Sequence, residues 1–245
     1  MIYIRSALFL AWWIVVSVSM NVGFLPVLLL PRRITVRLAR IWARLVLLGL
    51  KWTAGLDFEV RGRLPDARVI VAAKHFTTWE TVALMGLLPD PAIVLKRSLF
   101  RIPFYGWYGR KMQMIPIDRS AGGSAIRRMH AAAERALDQG RPILIFPEGT
   151  RKKPGDKPDY KPGVAGLYLQ LEVPCVPAAH NSTLFWTGGF LRRPGTIVLE
   201  YLEPIPPGLK RREFMTLLER RTEEATNRLL QEGRRELTAL SPAKA

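Results

Sequence analysis

The segment RVIVAAKHFTTWE, residues 68–80, joins a short apolar run to a group of reactive polar residues. A second segment, PILIFPEGTR at residues 142–151, has the same organisation. Short apolar runs of this kind are typical of buried strands in a parallel or mixed sheet. Because α/β folds carry their chemistry in loops at the carboxyl ends of such strands, both polar groups are expected at one functional site. The sequence therefore predicts an α/β fold with a mixed, largely buried sheet flanked by helices.

The spacing of His75 and Glu80 restricts how the two side chains can meet. On a continuous helix they would be separated by roughly 140° of rotation and would not share a face. They can meet if His75 lies in a loop and Glu80 in the first turn of a helix that begins at Thr77 or Thr78. Glu80 can then bond one imidazole nitrogen, which fixes the tautomer and leaves the other nitrogen as a base. The alternative is that His75 has only a structural role near the helix start.

Other kinds of site find little support in the sequence. It contains neither a Gly-x-Ser-x-Gly elbow nor a Walker A loop. The three histidines, His75, His130 and His180, do not have metal-site spacing, so no metal ion is expected. Cys175 lies in an apolar stretch and is expected to be a small buried hydrophobe rather than a nucleophile. A His–carboxylate pair without a protein nucleophile indicates a base that acts on a hydroxyl of the substrate.

Two basic clusters accompany these motifs. Residues 151–153 are Arg-Lys-Lys and follow the tight turn at residues 147–150, whereas Lys96 and Arg97 begin a segment that ends in a Pro/Gly-bounded turn at residues 103–106. Cations beside such turns suit an anion, and phosphate fits best. The alternative for either cluster alone is a solvated basic loop.

In order along the chain, these segments resemble the signature blocks of the glycerolipid acyltransferase family, which includes the 1-acyl-sn-glycerol-3-phosphate acyltransferases. The first block is His-x4-Asp in the family and His75-x4-Glu80 here. Residues 96–106 are similar to the second block, residues 146–151 match the third, and residues 173–177 resemble the fourth. The resemblance covers about residues 55–205, and its specificity comes from four blocks in the right order. Glu80 keeps the charge of the usual Asp and extends its reach by one methylene group.

The resemblance implies an enzyme that moves a fatty acyl chain from a thioester to the free hydroxyl of 1-acyl-sn-glycerol-3-phosphate, giving phosphatidic acid. It implies that His75 takes the hydroxyl proton while Glu80 orients the imidazole. Acyl-CoA or acyl carrier protein would be the co-substrate, with no further cofactor. The residues expected to hold the acceptor phosphate are Lys96, Arg97 and Arg151, and those expected to shape the acceptor pocket are Glu148, Gly149 and Thr150. The alternatives are acylation of another lyso-lipid, such as a lyso-ornithine lipid, and a non-catalytic basic protein that binds anionic lipid or nucleic acid.

The amino-terminal segment is apolar enough to enter a membrane. No charged residue occurs from Ser6 to Leu30, and about 20 apolar residues can span a bilayer. Because Asn21, Gly23 and Pro26 interrupt the run, a hairpin or a shallow insertion is as well supported as a clean span.

The segment from Arg33 to Trp52 has the pattern of an interfacial helix. Apolar residues recur at helical spacing and arginines run beside them. The apolar positions are Ile34, Leu38, Ile41, Leu45, Leu48 and Trp52, and the arginines are Arg33, Arg37, Arg40 and Arg44. Such a helix suits an anionic bilayer surface, where each cation adds about 1 kcal/mol. The alternative is a surface helix that packs on the protein with its arginines solvated.

The charge balance points to an anionic partner. The chain has 37 Lys and Arg against 20 Asp and Glu, a net charge of +17, which suits a membrane surface or nucleic acid. The uncharged amino-terminal run favours the membrane and argues against nucleic acid. The arginines of residues 32–44 outnumber Arg5, which places the chain after residue 30 at the cytoplasmic face of the cell membrane. The expected organisation is a membrane-associated helical hairpin at residues 1–52, an acyltransferase domain at 53–240 and a disordered tail at 241–245.

Overall fold

The structure is a computed structural model that describes residues 1–64, 68–118 and 122–240. Among these residues, seven strands form one sheet in the order β1-β7-β6-β2-β5-β3-β4. Neighbouring strands are parallel, except that β6 and β7 are antiparallel. The fold is therefore the mixed α/β architecture that the sequence predicts. The strands are β1 Leu56–Arg61, β2 Ile70–Ala73, β3 Ala92–Lys96, β4 Ile115–Ile117, β5 Ile143–Ile145, β6 Cys175–His180 and β7 Gly195–Tyr201.

Helices cover both faces of the sheet. The α-helices are α1 Ile2–Gly23, α2 Arg32–Gly49, α3 Trp79–Leu87, α4 Tyr105–Lys111, α5 Gly122–Asp138, α6 Gly163–Leu171, α7 Ser182–Phe185 and α8 Arg211–Leu240. Short 3₁₀ helices occupy Leu25–Leu29 and Arg97–Arg101, and a π-helical turn at Leu50–Ala54 continues α2. The predicted disordered tail at 241–245 lies outside the described residues.

The alternation of side chains along β2 divides the core into two layers. Val71 and Ala73 belong to a buried cluster shared with α1, α2 and α3. Ile70 and Ala72 belong to a second cluster shared with α5, α6 and α8. Successive residues of a strand point to opposite faces, so a strand buried on both faces is apolar throughout. This explains why β2 has no polar residue between Ile70 and Ala73.

The order of the strands brings the sequence motifs together. β2 pairs in parallel with both β5 and β6, and β5 pairs in parallel with β3. Their carboxyl ends therefore meet at one edge of the sheet. The segments that leave this edge begin at Lys74 after β2, Phe146 after β5, Arg97 after β3 and Asn181 after β6.

The amino-terminal helices pack against the sheet domain along their length. The Ser6 hydroxyl accepts a hydrogen bond from the Arg192 amide at 2.9 Å, and the Asn21 carbonyl accepts one from the Tyr108 hydroxyl at 3.1 Å. Between these two points, aromatic rings of α1 contact Trp186, which lies 5.5 Å from Phe9 between ring centroids. α1 is thus docked at both ends, and α2 returns beside it as the second arm of a helical hairpin.

Candidate active site

His75 and Glu80 are in direct contact. His75 lies in the loop after β2, and Glu80 lies in the first turn of α3. The imidazole Nδ1 is 2.9 Å from Glu80 Oε1. Because Nδ1 is committed to the carboxylate, Nε2 is the nitrogen that remains for another partner. The His75 ring also stacks on Phe146, with centroids 4.3 Å apart, which restricts its rotation.

Glu80 is held by a dense set of hydrogen bonds. Its Oε1 also accepts the amides of Phe76 and Thr77 at 2.8 and 2.7 Å. Its Oε2 accepts the hydroxyls of Thr77 at 2.7 Å and Ser182 at 3.3 Å. The carboxylate is fully buried. Burial alone would raise the pKa of Glu80, but the nearby imidazoles of His180 and His75 and the Thr77 hydroxyl outweigh it and hold the pKa below its ordinary value.

The start of α3 explains how this geometry arises. Of the two threonines that the sequence offers as the N-cap, Thr78 occupies that position, but the capping hydroxyl belongs to Thr77, which accepts the Trp79 amide at 3.0 Å. Glu80 reaches back to the Phe76 and Thr77 amides, as the acidic residue of a capping box does. One carboxylate therefore both caps the helix and orients the imidazole of His75.

His180 supports the site from the neighbouring strand. It is fully buried at the end of β6, where its Nε2 donates to the Lys74 carbonyl at 2.9 Å. Its Nδ1 accepts the Ser182 amide at 3.4 Å. Burial lowers the pKa of His180 because it penalises the charged imidazolium. Through these two hydrogen bonds His180 braces the backbone beside His75.

A cavity of about 810 Å³ opens in front of His75. Its wall is largely apolar and combines side chains from α1, α2, α3 and α4 with the carboxyl edge of the sheet. Trp42 Nε1 donates to Ser17 Oγ at 3.1 Å and so joins α2 to α1 within this wall. Apolar side chains of the wall include Trp13, Val18, Leu38, Trp42, Met85 and Tyr108. A cavity of this size and polarity suits a long hydrocarbon chain.

Within the described part of the chain, three cations line the same cavity. They are Lys96 at the end of β3, Arg151 after the turn that follows β5, and Lys161 before α6. Lys96 and Arg151 are two of the three residues predicted to bind phosphate. The third, Arg97, is not among the described residues that line the cavity, and its guanidinium donates to Asp118 at 3.5 Å. Its side chain is 61% exposed, so the solvated alternative describes Arg97 best.

The turn after β5 separates residues that the sequence groups together. Gly149 lines the cavity and has a φ of 65°, which favours glycine. Glu148 and Thr150 are not among the described residues that line it. Glu148 is fully buried and accepts the His75 amide at 2.9 Å and the Lys74 ammonium at 2.7 Å. The carboxylate of Glu148 therefore supports the backbone of His75, whereas the sequence assigns it to the acceptor pocket.

Cys175 does not belong to this edge of the sheet. Cys175 is fully buried at the amino end of β6, and burial raises the pKa of its thiol, so it behaves as the small hydrophobe that the sequence predicts. Across the described ranges, no three His, Cys, Asp or Glu side chains are arranged to hold a metal ion.

Comparison with known proteins supports the chemistry that this geometry suggests. A family model described as Acyltransferase matches residues 57–181, which contain β2 to β6, all but the first residue of β1, and the whole dyad. The chain belongs to the acyltransferase family. The matched span ends one residue beyond His180, so the residues that brace the dyad lie almost entirely inside it.

Relatives of this acyltransferase have consistent names. A 1-acyl-sn-glycerol-3-phosphate acyltransferase from Pseudomonas aeruginosa is 35% identical over 159 residues, which cover 64% of this chain and 62% of the relative. The chain thus spans less than two thirds of that relative's length. One of the same name from Limnanthes alba is 30% identical over 203 residues, covering 81% of this chain and 72% of the relative.

The fold of this acyltransferase also occurs in a solved structure. The crystal structure of the 1-acyl-sn-glycerophosphate (LPA) acyltransferase PlsC from Thermotoga maritima superimposes with a TM-score of 0.76. The alignment covers 94% of this chain and 98% of that one at 23% sequence identity. The likeness in fold therefore extends over nearly the whole chain.

Sequence reasoning missed several residues of the site. Lys74 and Thr77 lie within the first motif, but the sequence indicates only a helix cap for Thr77 and no role for Lys74. Ser182 follows β6 and reaches Glu80 across a separation of 102 residues. Lys161 precedes α6 and lines the cavity. Their positions in the sequence were the available signal, because each residue follows a strand that ends at this edge of the sheet or lies beside a signature block.

Proposed function

We propose that this acyltransferase moves a fatty acyl chain from a thioester donor to the free hydroxyl of 1-acyl-sn-glycerol-3-phosphate, giving phosphatidic acid. One observation carries the proposal: His75, which Glu80 binds from behind, and the cations Lys96, Arg151 and Lys161 share the wall of a single apolar cavity. The base suits a hydroxyl, the cations suit a phosphate, and the apolar wall suits an acyl chain. The relatives' names agree with this substrate.

The proposed reaction needs no covalent enzyme intermediate. Nε2 of His75 takes the proton of the acceptor hydroxyl as its oxygen attacks the thioester carbonyl. The tetrahedral intermediate collapses with cleavage of the carbon–sulfur bond, and the thiolate takes the proton back from the imidazolium. Glu80 stabilises the transient imidazolium through Nδ1. General-base assistance of this kind contributes about 10²–10⁴ in rate, and holding hydroxyl and thioester together contributes further.

The cations of the cavity favour a phosphate acceptor over a lyso-ornithine lipid. An ornithine head group carries one carboxylate and one ammonium and has no net charge, so its attraction to Lys96, Arg151 and Lys161 is weaker than that of a dianionic phosphate monoester. A phosphate monoester instead offers oxygens that an Arg guanidinium can bind in pairs. The donor, acyl-CoA or acyl carrier protein, supplies the thioester in either case.

We propose that the protein works at the cytoplasmic face of the cell membrane, with α1 and α2 in contact with the lipid. Among the described helices, α1 alone is long and apolar enough to cross a bilayer. Docking of its two ends to Arg192 and Tyr108 supports a helix that lies along the domain rather than one that leaves it. Its exposed apolar side chains include Tyr3, Ile4, Leu8, Ile14, Val15, Val18 and Val22.

The outward face of α2 also supports contact with the lipid. Ile34, Ile41, Leu48 and Trp52 are exposed, whereas Val36, Ala43, Val46 and Leu47 are buried against the protein. An exposed apolar face bordered by arginines suits an anionic interface. A lysophospholipid already in that interface could then reach His75 by lateral motion.

The decisive experiment is an assay of the purified protein with a panel of lyso-lipids and both donor types, with products identified by mass spectrometry. We expect phosphatidic acid from 1-acylglycerol-3-phosphate and far slower turnover of lyso-lipids that lack a phosphate monoester. Acylation of lyso-ornithine lipid alone, or no acyl transfer with either donor, would overturn the proposal.

A further inference from the structure

We propose that Lys74 and Glu223 are positioning residues that hold the catalytic base from behind and couple the carboxyl-terminal helix α8 to His75. The inference rests on the proposed function, since His75 is treated as the base of that reaction. It starts from the backbone alternation of β2. Ile70 and Ala72 face the layer that contains α8, and Val71 and Ala73 face the layer that contains α1 to α3. Continuation of this alternation sends Lys74 toward α8 and His75 toward the cavity.

Lys74 lies at the centre of a buried cluster of charges. Its ammonium donates to Glu148 Oε1 at 2.7 Å and to Glu223 Oε1 at 2.6 Å. The same Glu223 oxygen accepts the Tyr160 hydroxyl at 3.0 Å. The Lys74 side chain is only 3% exposed, and its ammonium lies 5.1 Å from the centre of the Phe76 ring. Burial of a lysine is costly without such partners, so each of these contacts constrains where the ammonium can be.

Glu148 passes this constraint to His75. One of its oxygens accepts the Lys74 ammonium, and the other accepts the His75 backbone amide at 2.9 Å. The His75 carbonyl accepts the Lys152 amide at 2.9 Å. Both backbone polar groups of the base are therefore bound to the segment that also carries Arg151. The chain of contacts runs from Glu223 on α8 through Lys74 and Glu148 to the base.

The backbone of Lys74 is fixed as firmly as its side chain. Its amide donates to the Ala178 carbonyl at 2.9 Å, and its carbonyl accepts His180 Nε2 at 2.9 Å. Three elements thus bind one residue: β6 binds its backbone, the turn after β5 binds its ammonium through Glu148, and α8 binds the ammonium through Glu223. A residue held in this way transmits small displacements to its neighbour His75, whose imidazole must stay within hydrogen-bond reach of the acceptor hydroxyl.

Glu148 needs the cation to serve as an acceptor. Burial raises the pKa of Glu148, and the Lys74 ammonium opposes this rise. Without Lys74 the buried carboxylate would take up a proton more readily, and a neutral carboxyl is a weaker acceptor for the His75 amide. Loss of Glu223 leaves Lys74 with a single carboxylate partner and frees its ammonium to move.

The test compares Glu223→Gln with Glu224→Gln in the full-length protein. Glu224 is the next residue of α8 and has a 64% exposed side chain that pairs with Arg220, so it is a matched control for the loss of one carboxylate. We expect Glu223→Gln to lower kcat about tenfold, the size expected for loss of one charge-assisted hydrogen bond. The KM for 1-acylglycerol-3-phosphate should stay within about twofold of wild type, because the cavity cations are intact. Lys74→Met should lower kcat further.

A second readout does not depend on the substrate. Hydrogen exchange of the peptide that contains His75 should accelerate in Glu223→Gln but not in Glu224→Gln, since the His75 amide loses a firmly held acceptor. Equal kcat values in the two glutamine variants, or a lowered melting temperature with kcat unchanged, would overturn the inference. Faster exchange in a protein whose wild type does not acylate 1-acylglycerol-3-phosphate would instead overturn the proposed function and leave the positioning role standing. If Lys74→Met does not fold, the two glutamine variants decide.

Discussion

His75 Nδ1 lies 2.9 Å from Glu80 Oε1, and the same carboxylate oxygen accepts the amides of Phe76 and Thr77. The two amides thus hold the carboxylate in place independently of its contact with the imidazole. An imidazole held in this way carries its proton on Nδ1 and presents Nε2 to the cavity. A general base requires this tautomer.

His75→Ala should lower the rate of acyl transfer at least 100-fold, because general-base assistance contributes about 10²–10⁴. Fold and membrane attachment should be retained. The matched control is His130→Ala, since His130 lies on α5 outside the site, and it should keep nearly full activity. Steady-state kinetics with circular dichroism checks both variants. More than about a tenth of the wild-type rate in His75→Ala would rule out its role as the base.

Glu80→Asp should keep substantially more activity than Glu80→Gln. Aspartate retains the charge that stabilises the imidazolium, although it must reach His75 with one methylene group fewer. Glutamine retains the length but is a neutral partner, and the expected loss is at least about 100-fold, comparable with loss of the base itself. Measurement of kcat for both variants checks the order, and an active Glu80→Gln enzyme would show that the carboxylate does not assist His75.

Arg151→Ala and Lys96→Ala should raise the KM for the phosphate-bearing acceptor by about 10- to 100-fold, because a charge-assisted contact contributes about 1.5–3 kcal/mol. The KM for the donor should change little. Arg97→Ala is the matched control, since its guanidinium bonds Asp118 outside the cavity wall. A selective increase in donor KM would assign these residues to the thiol carrier and weaken the case for a phosphate acceptor.

How far the site could be predicted depended on separation along the chain. The contact of His75 with Glu80 was predictable because it needs only a loop and a helix start within a few residues. The contact of Lys74 with Glu223 spans 149 residues, and nothing in the periodicity of α8 distinguishes Glu223 from its neighbours. Arg97 was assigned to phosphate because it adjoins Lys96, yet a β-strand end and a 3₁₀ turn send the two side chains to different places.

The fold followed the sequence where patterning was unambiguous. β2 and β5 were predictable as buried strands because each is apolar throughout, and α8 because its polar and apolar residues alternate with helical period. α2 was harder because it is apolar on two sides. Its exposed face, with Ile41 and Leu48, was predicted, but its buried face depends on packing between α1 and α3, which periodicity alone does not reveal.

The stability that Glu80 contributes should depend on pH in a defined direction. Its pKa is lowered in the folded protein from the ordinary value of 4.5. The ionised carboxylate therefore stabilises the fold above about pH 4.5, and this contribution is lost as the pH falls through the lower folded pKa. The difference in free energy of unfolding between wild type and Glu80→Gln should be largest near neutral pH and shrink in acid. Denaturant unfolding at pH 7 and pH 3.5 tests this, and a difference that grows in acid would contradict it.

Replacement of Arg33, Arg37 and Arg44 together by Gln should weaken binding to anionic vesicles at low salt without abolishing it. Each exposed arginine near the surface contributes about 1 kcal/mol, and the apolar faces of α1 and α2 remain. The effect should fade as salt rises, because the attraction is screened within about 10 Å at 0.1 M. The matched control replaces Arg220, Arg234 and Arg235 of α8, which are also exposed and change the net charge equally. Co-sedimentation with anionic and neutral vesicles at two salt concentrations measures both triple variants. Equal loss of binding in the two would show that net charge, rather than the face of α2, attracts the protein to the membrane.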